Sequence, residues 1–202
     1  DLFGVARWAG GRDDPYLSRF GKIVMTGVEL LPLVCVRCQA EIPAQVDEVV
    51  WVCEQCGQGN LLSDEKACTA LDAHYSGEIP VDTAGKPFWV ASGQVALERK
   101  IYGGGDRSKE AYQFWGTPHQ FLIPAFSAPL DQVIQMGKQY LYRPPVLTPG
   151  NRAKFSPVIL LPEDVFPMAE FVVMAIEAER KDKVREIQFQ LTLQPPALWI
   201  LA

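Results

Sequence analysis

CVRC (35–38) and CEQC (53–56), separated by fourteen residues, decide how this chain is to be read. Each C-x-x-C sets two sulfurs on one tight turn, near enough to grip a single ion. Two such turns facing each other place four sulfurs at the corners of a tetrahedron, a geometry that Zn²⁺ accepts with bonds of about 2.3 Å. Cys35, Cys38, Cys53 and Cys56 are therefore the candidate metal ligands, and Zn²⁺ is the expected ion. Four of the five cysteines are used this way. In a chain of this size that pattern reads as metal binding in a reducing compartment, the cytoplasm, rather than as a secreted disulfide framework.

The flanks fit the motif. VDEVVWVC (46–53) is a β-strand running into the second cysteine pair. Gly57 follows Cys56, where such a turn often needs positive φ. Strand, knuckle and glycine together resemble the zinc-ribbon superfamily over roughly residues 31–62. The resemblance implies a closed structural zinc site and, by the habit of that superfamily, nucleic-acid binding. Local charge opposes the second implication. Between 31 and 60 the only base is Arg37, against Glu41, Asp47, Glu48 and Glu54. Four thiolates on one Zn²⁺ add about two further negative charges, and such a surface repels phosphates. Trp51 alone is no stacking platform. Rubredoxin-like proteins hold iron on similar knuckles, usually with a proline near each pair and a longer separation. Here VR and EQ fill the pairs and the gap is short, so iron is the lesser alternative.

The whole chain carries 24 acidic and 19 basic residues, a formal net charge of −5. That excludes wholesale phosphate-backbone binding and a polybasic membrane anchor. No stretch approaches 18 uninterrupted apolar residues, so no transmembrane helix is expected. The N-terminus DLFGVARWAGGRDD has no basic start and apolar run, so no signal peptide is expected. Sixteen Pro and sixteen Gly imply many turns and short elements.

Residues 1–30 read as an N-terminal arm ending in a leading strand, with KIVMTGVELLPL (22–33) β-rich. Residues 63–87 read as a linker with some local structure, and 88–202 as an α+β domain that is β-rich and holds two amphipathic helices. PFWVASGQVALERKIY (87–102), QFLIPAFS (120–127), SPVILL (156–161), EIQFQLTLQ (186–194) and ALWIL (197–201) are the strand candidates. Ser127 is placed to cap the first helix, whose stripe is Leu130, Val133, Ile134, Gly137 and Leu141. The second helix follows PED, with Met168, Phe171, Val172, Ala175 and Ile176 as its buried stripe. Pro195 and Pro196 are expected to turn the chain. Strand, proline, acid and helix recur at 121–142 and 157–180, which ordinary βα grammar explains.

No catalytic constellation stands out. Cys68 and His74 read as a core thiol and a surface histidine rather than as extra ligands, and His119 as a packing residue. GGGDRSK (103–109) lacks phosphate-loop spacing and reads as a hairpin turn. Arg99, Lys100, Arg107 and Lys109 are interleaved with Glu98, Asp106 and Glu110, as on a solvated face. Glu163 and Asp164 sit where a helix start favours negative charge. Together these features point to a non-catalytic accessory or adaptor subunit that makes protein–protein contacts in a larger assembly. The alternatives are a nucleic-acid-associated protein of transcription or replication and an iron-containing electron carrier. Peripheral association with a membrane complex stays compatible with the composition.

Overall fold

The computed structural model describes residues 4–6, 30–63, 66–101, 108–180 and 184–202. Helices and sheets are mixed, as the α+β reading requires, and contacts divide the chain into two units, Asp1–Leu71 and Asp72–Ala202. No helix among the described residues is long and apolar enough to cross a membrane.

In the first unit, β1 (Gly4–Ala6) pairs antiparallel with β2 (Leu30–Pro32). The rest of 1–29 lies outside the described residues, including most of the β-rich stretch 22–33. A second sheet joins β3 (Val50–Val52), β4 (Gly59–Ser63) and β5 (Ala67–Leu71) in that order, all antiparallel. Val50 faces Leu61, and Leu62 faces Cys68. Ile42, Trp51 and Cys68 form a small core, with Leu33, Val36, Ala44 and Leu62 packed against it.

The second unit is built on β7 (Lys86–Ile101), sixteen residues long. Its sheet runs β6 (Ala73–Tyr75), β10 (Ala197–Leu201), β7, β8 (His119–Pro124), and β9 (Val184–Leu193) also pairs with β7. Only β6–β10 is parallel. Alternation on β7 buries Trp89, Ala91 and Val95 on one face. On the other face Phe88 and Val90 join Leu122 and Leu201, with Phe126, Tyr140, Leu147 and Trp199 around them. Beyond Val90 that second face becomes exposed: Ser92, Gln94, Ala96, Glu98 and Lys100 meet water.

Several expectations are corrected here. Residues 63–87 were expected to link two domains, but they contribute β5 to the first sheet and β6 to the second. Pro195 and Pro196 do not turn the chain. Leu193 lies opposite Gly93 and Ala197 opposite Val90, so β9 and β10 follow one another along β7 in a single direction. Four steps on one side against three on the other make a bulge, the usual accommodation for proline in a sheet. SPVILL forms no strand. Pro157 cannot donate to a ladder, and the segment makes single contacts instead: Ile159 N–H to Ala125 O at 2.7 Å, and Trp89 Nε1–H to Leu160 O at 2.7 Å.

Three helices, not two, occur among the described residues. The additional one, α1 (Ser108–Trp115), takes up the end of the glycine-rich stretch expected to be a hairpin turn; its residues 102–107, with Arg107, lie outside the described residues. The first expected helix is α2 (Leu130–Tyr142). It begins after Pro129 without a side-chain cap, so Ser127 does not cap it. Val133, Gly137 and Leu141 of its stripe are buried, whereas Leu130 is exposed. The other, α3 (Val165–Ala178), follows a 3-10 turn at Pro162–Asp164, which puts Glu163 and Asp164 at its start. A Cβ on Gly137 of α2 would meet Val172 Cγ2 of α3 at 2.7 Å, so glycine permits that close crossing.

The buried face of α3 is Val165, Ala169, Val172, Val173, Ile176 and Glu177. Phe171, expected inside, is 44% exposed, with Met174 at 45% near it on the outward side and Phe166 at 42% at the helix start. The helix is apolar on nearly every side, so its periodicity gave no unique register.

Arg99 was placed on a solvated face. Its side chain is instead fully buried, with Nε 3.0 Å from Glu177 Oε2, itself fully buried. Glu177 Oε1 accepts from Trp115 Nε1 at 2.8 Å and from Arg180 Nε at 2.6 Å. Lys100 is exposed and pairs with Glu186 at 2.9 Å. Glu177→Ala would take a buried carboxylate from Arg99, Arg180 and Trp115 Nε1–H at once and should cost about 3–5 kcal/mol. Denaturant unfolding followed by tryptophan fluorescence checks this. Arg99→Met with Glu177→Met should recover only part of the loss, because Arg180 Nε and Trp115 Nε1–H still lack the carboxylate they donate to.

Candidate metal centre

The two cysteine pairs adopt one backbone conformation. Cys35 N–H donates to Ala40 O at 2.8 Å, and Gln39 N–H to Cys35 O at 2.9 Å. Cys53 N–H donates to Gln58 O at 2.8 Å, and Gly57 N–H to Cys53 O at 2.9 Å. The fifth position of each knuckle takes positive φ, 61° at Gln39 and 77° at Gly57. Glycine enters that region freely; Gln39 does so at a cost of about 1–2 kcal/mol. Its side chain answers partly by donating to Cys35 O at 3.2 Å.

The four sulfurs lie within 4.8 Å of one another, so the group can hold a metal ion. Cys35 Sγ is 3.6 Å from Cys56 Sγ, and Cys38 Sγ is 3.5 Å from Cys53 Sγ. A tetrahedral ion with bonds of about 2.3 Å holds its ligands about 3.8 Å apart, so the donor set fits. Cys35 and Cys53 are buried, Cys56 is half-buried, and Cys38 is exposed.

Four thiols this close cannot all ionise unaided. Burial opposes the Cys35 thiolate, but the amides of Cys38 and Arg37 and the thiols of Cys56 and Cys38 outweigh it and lower Cys35 to about 6. The amide of Cys56 leads in lowering Cys53 against desolvation, helped by the Cys38 thiol, the Gln55 amide and the Cys56 thiol. Cys38 goes the other way. The amide of Ala40 favours its thiolate, yet desolvation and the three neighbouring sulfurs raise it to about 12. A dication removes this conflict by giving every sulfur the same counter-charge.

Asn60 is the residue that motif reading passed over. It is wholly buried. Its Oδ1 accepts from Val36 N–H of the first knuckle at 2.9 Å, and its Nδ2 donates to Gln58 O beside the second at 2.8 Å. One amide thus ties the two knuckles together. Its sequence neighbourhood, GNLLS, carries no motif that would have marked it.

The other candidates stay apart from the cluster. Burial pushes the Cys68 thiol up to about 11, with the charge of Cys35 adding to it, as for a core thiol. In the second unit, His74 stacks on Trp199 with ring centres 5.1 Å apart. His119 stacks on Phe114 at 4.4 Å, and its Nε2 lies 2.7 Å from Phe114 O. A surface depression on the second unit, lined by Gly93, Gln94, Ala96, Gln190, Thr192 and Gln194, offers amides and one hydroxyl but no acid or base.

Comparison with family models, with curated proteins and with solved structures finds no match. What the cluster can do must be argued from its own atoms.

Cys53→Ser should abolish metal binding and unfold the first unit, read by metal titration and by hydrogen exchange of β3–β5. Asn60→Ala keeps all four sulfurs but leaves Val36 N–H without its partner, at a cost of about 1–3 kcal/mol. It should weaken metal affinity correspondingly in the same titration.

Proposed function

We propose that Cys35, Cys38, Cys53 and Cys56 hold Zn²⁺ in a closed, structural, zinc-ribbon-like site, and that the chain is a non-catalytic accessory or adaptor subunit. Four thiolates fill a tetrahedral ion and leave no position for water or substrate, so the metal braces a fold rather than activating a reactant. Binding energy of that kind becomes folding energy. A reducing compartment such as the cytoplasm suits thiolates kept available for a metal.

The observation that carries the adaptor reading is the outward face of α3. Phe171 and Met174, three residues apart, project from a helix whose buried stripe already serves the core. Apolar side chains grouped on one exposed face mark protein contacts. Nucleic-acid binding fits less well, since the cysteine region is acidic around its single arginine, Arg37.

Two measurements test the proposal. Elemental analysis should give a single zinc per chain and no iron, with no visible absorption band. A photo-cross-linking residue at position 171, expressed in the organism of origin, should yield a discrete adduct with another protein. The same probe at Val81, which is exposed in isolation, should yield none. Bound iron overturns the metal assignment, and a chain left uncross-linked from position 171 overturns the adaptor assignment.

A further inference from the structure

From 187 to 194 the sequence IQFQLTLQ contains no proline, no glycine and no charge. Those are the residues that ordinarily protect a strand edge from pairing. The backbone of β9 leaves such an edge open. Gln194 N–H donates to Ser92 O at 2.8 Å. Thr192, Gln190 and Gln188 lie opposite Gln94, Ala96 and Glu98. Arg99 N–H is turned the other way, to Tyr112 Oη at 3.3 Å. Even-numbered residues of β7 therefore address β9, and even-numbered residues of β9 address β7. The N–H and C=O groups of Ile187, Phe189, Leu191 and Leu193 point outward. Among the described residues β9 pairs only with β7. Where the same line of chain continues as β10, the outer edge is taken by β6.

We propose that a second copy of this chain docks on the outer edge of β9 as an antiparallel strand, with Gln190 on the two-fold axis. The edge carries its own complement. The four outward-facing residues are symmetric about Gln190, so an antiparallel copy aligns Ile187 with Leu193, Phe189 with Leu191, Gln188 with Thr192, and Gln190 with itself. Every apolar residue meets an apolar one, every amide or hydroxyl meets another, and no charge meets a like charge. The Lys100–Glu186 ion pair bounds this neutral stretch at one end, and the Gln194–Pro196 bulge bounds it at the other. Isologous pairing of this kind closes after two copies. The contact is separate from the α3 face and leaves it free for a different protein.

Sedimentation of the full chain over a concentration series tests the contact, with Gln190 as the lever, because its side chain is exposed. Wild type should show a reversible monomer–dimer equilibrium. Gln190→Lys and Gln190→Glu each place like charges across the axis and should weaken dimerisation at least about fivefold. An equimolar mixture of the two should restore it, with unchanged circular dichroism throughout. Amides of 187, 189, 191 and 193 should exchange more slowly in the dimer. A chain monomeric at every concentration overturns the proposal. So does a dimer indifferent to the charge at 190, or one abolished by Phe171→Glu alone.

Discussion

Four sulfurs within 4.8 Å of one another are the constraint on which the first unit depends. Among the described residues the apolar cluster beside them is small, Ile42, Trp51 and Cys68 with a few half-buried neighbours, and a small core gains most from such a clamp. Without an ion the sulfurs oppose each other, as the divergence of Cys35 and Cys38 records. With one, the same crowding becomes the strongest bond in the unit. The backbone is arranged for this outcome. Both knuckles aim amides at their first sulfur, both need one left-handed residue, and the wholly buried side chain of Asn60 holds them in register.

The second unit solves its stability differently. β7 is long enough to serve β10 and then β9 on one side and β8 on the other, so a single strand organises the sheet. Its core admits a fully buried ion pair, Arg99–Glu177. Such pairs repay their desolvation only when nearly every remaining polar position is satisfied. Trp115 and Arg180 supply part of that satisfaction from α1 and from the end of α3. The pair therefore specifies how β7 and the two helices meet more than it strengthens them.

What was legible in the sequence was whatever acts over a short span. Ligand chemistry and spacing located the cysteine cluster, and strict alternation found β9, where Ile187, Phe189, Leu191 and Leu193 share the inner face. Interactions between distant segments were not legible. Arg99 sits among charges in sequence, and only the fold brings Glu177 to it. Ser127 had the chemistry of a cap, but Pro129 set the helix start beyond its reach. Asn60 belongs to no motif, and only the fold brings Val36 to it. Phe171 was assigned to the core because α3 has apolar residues on all sides, and a pattern with no polar face cannot declare its rotation.

That last misreading is itself informative. A helix serving only the core beneath it needs one apolar stripe and gains solubility from a polar back. In α3 the inner stripe is complete: Ala169, Val172, Val173 and Ile176 are all buried, and Gly137 brings α2 against Val172. Phe171 and Met174 add nothing to that packing, and they face outward from a chain otherwise well supplied with charge. The sheet shows the contrast. Where β7 and β9 turn a face to water, they do so with Gln, Ser, Thr, Glu and Lys and with the small Ala96. The exposed positions of these strands are mainly polar, and those of α3 are apolar. The adaptor role proposed above would use that outward helix surface as a contact for another protein.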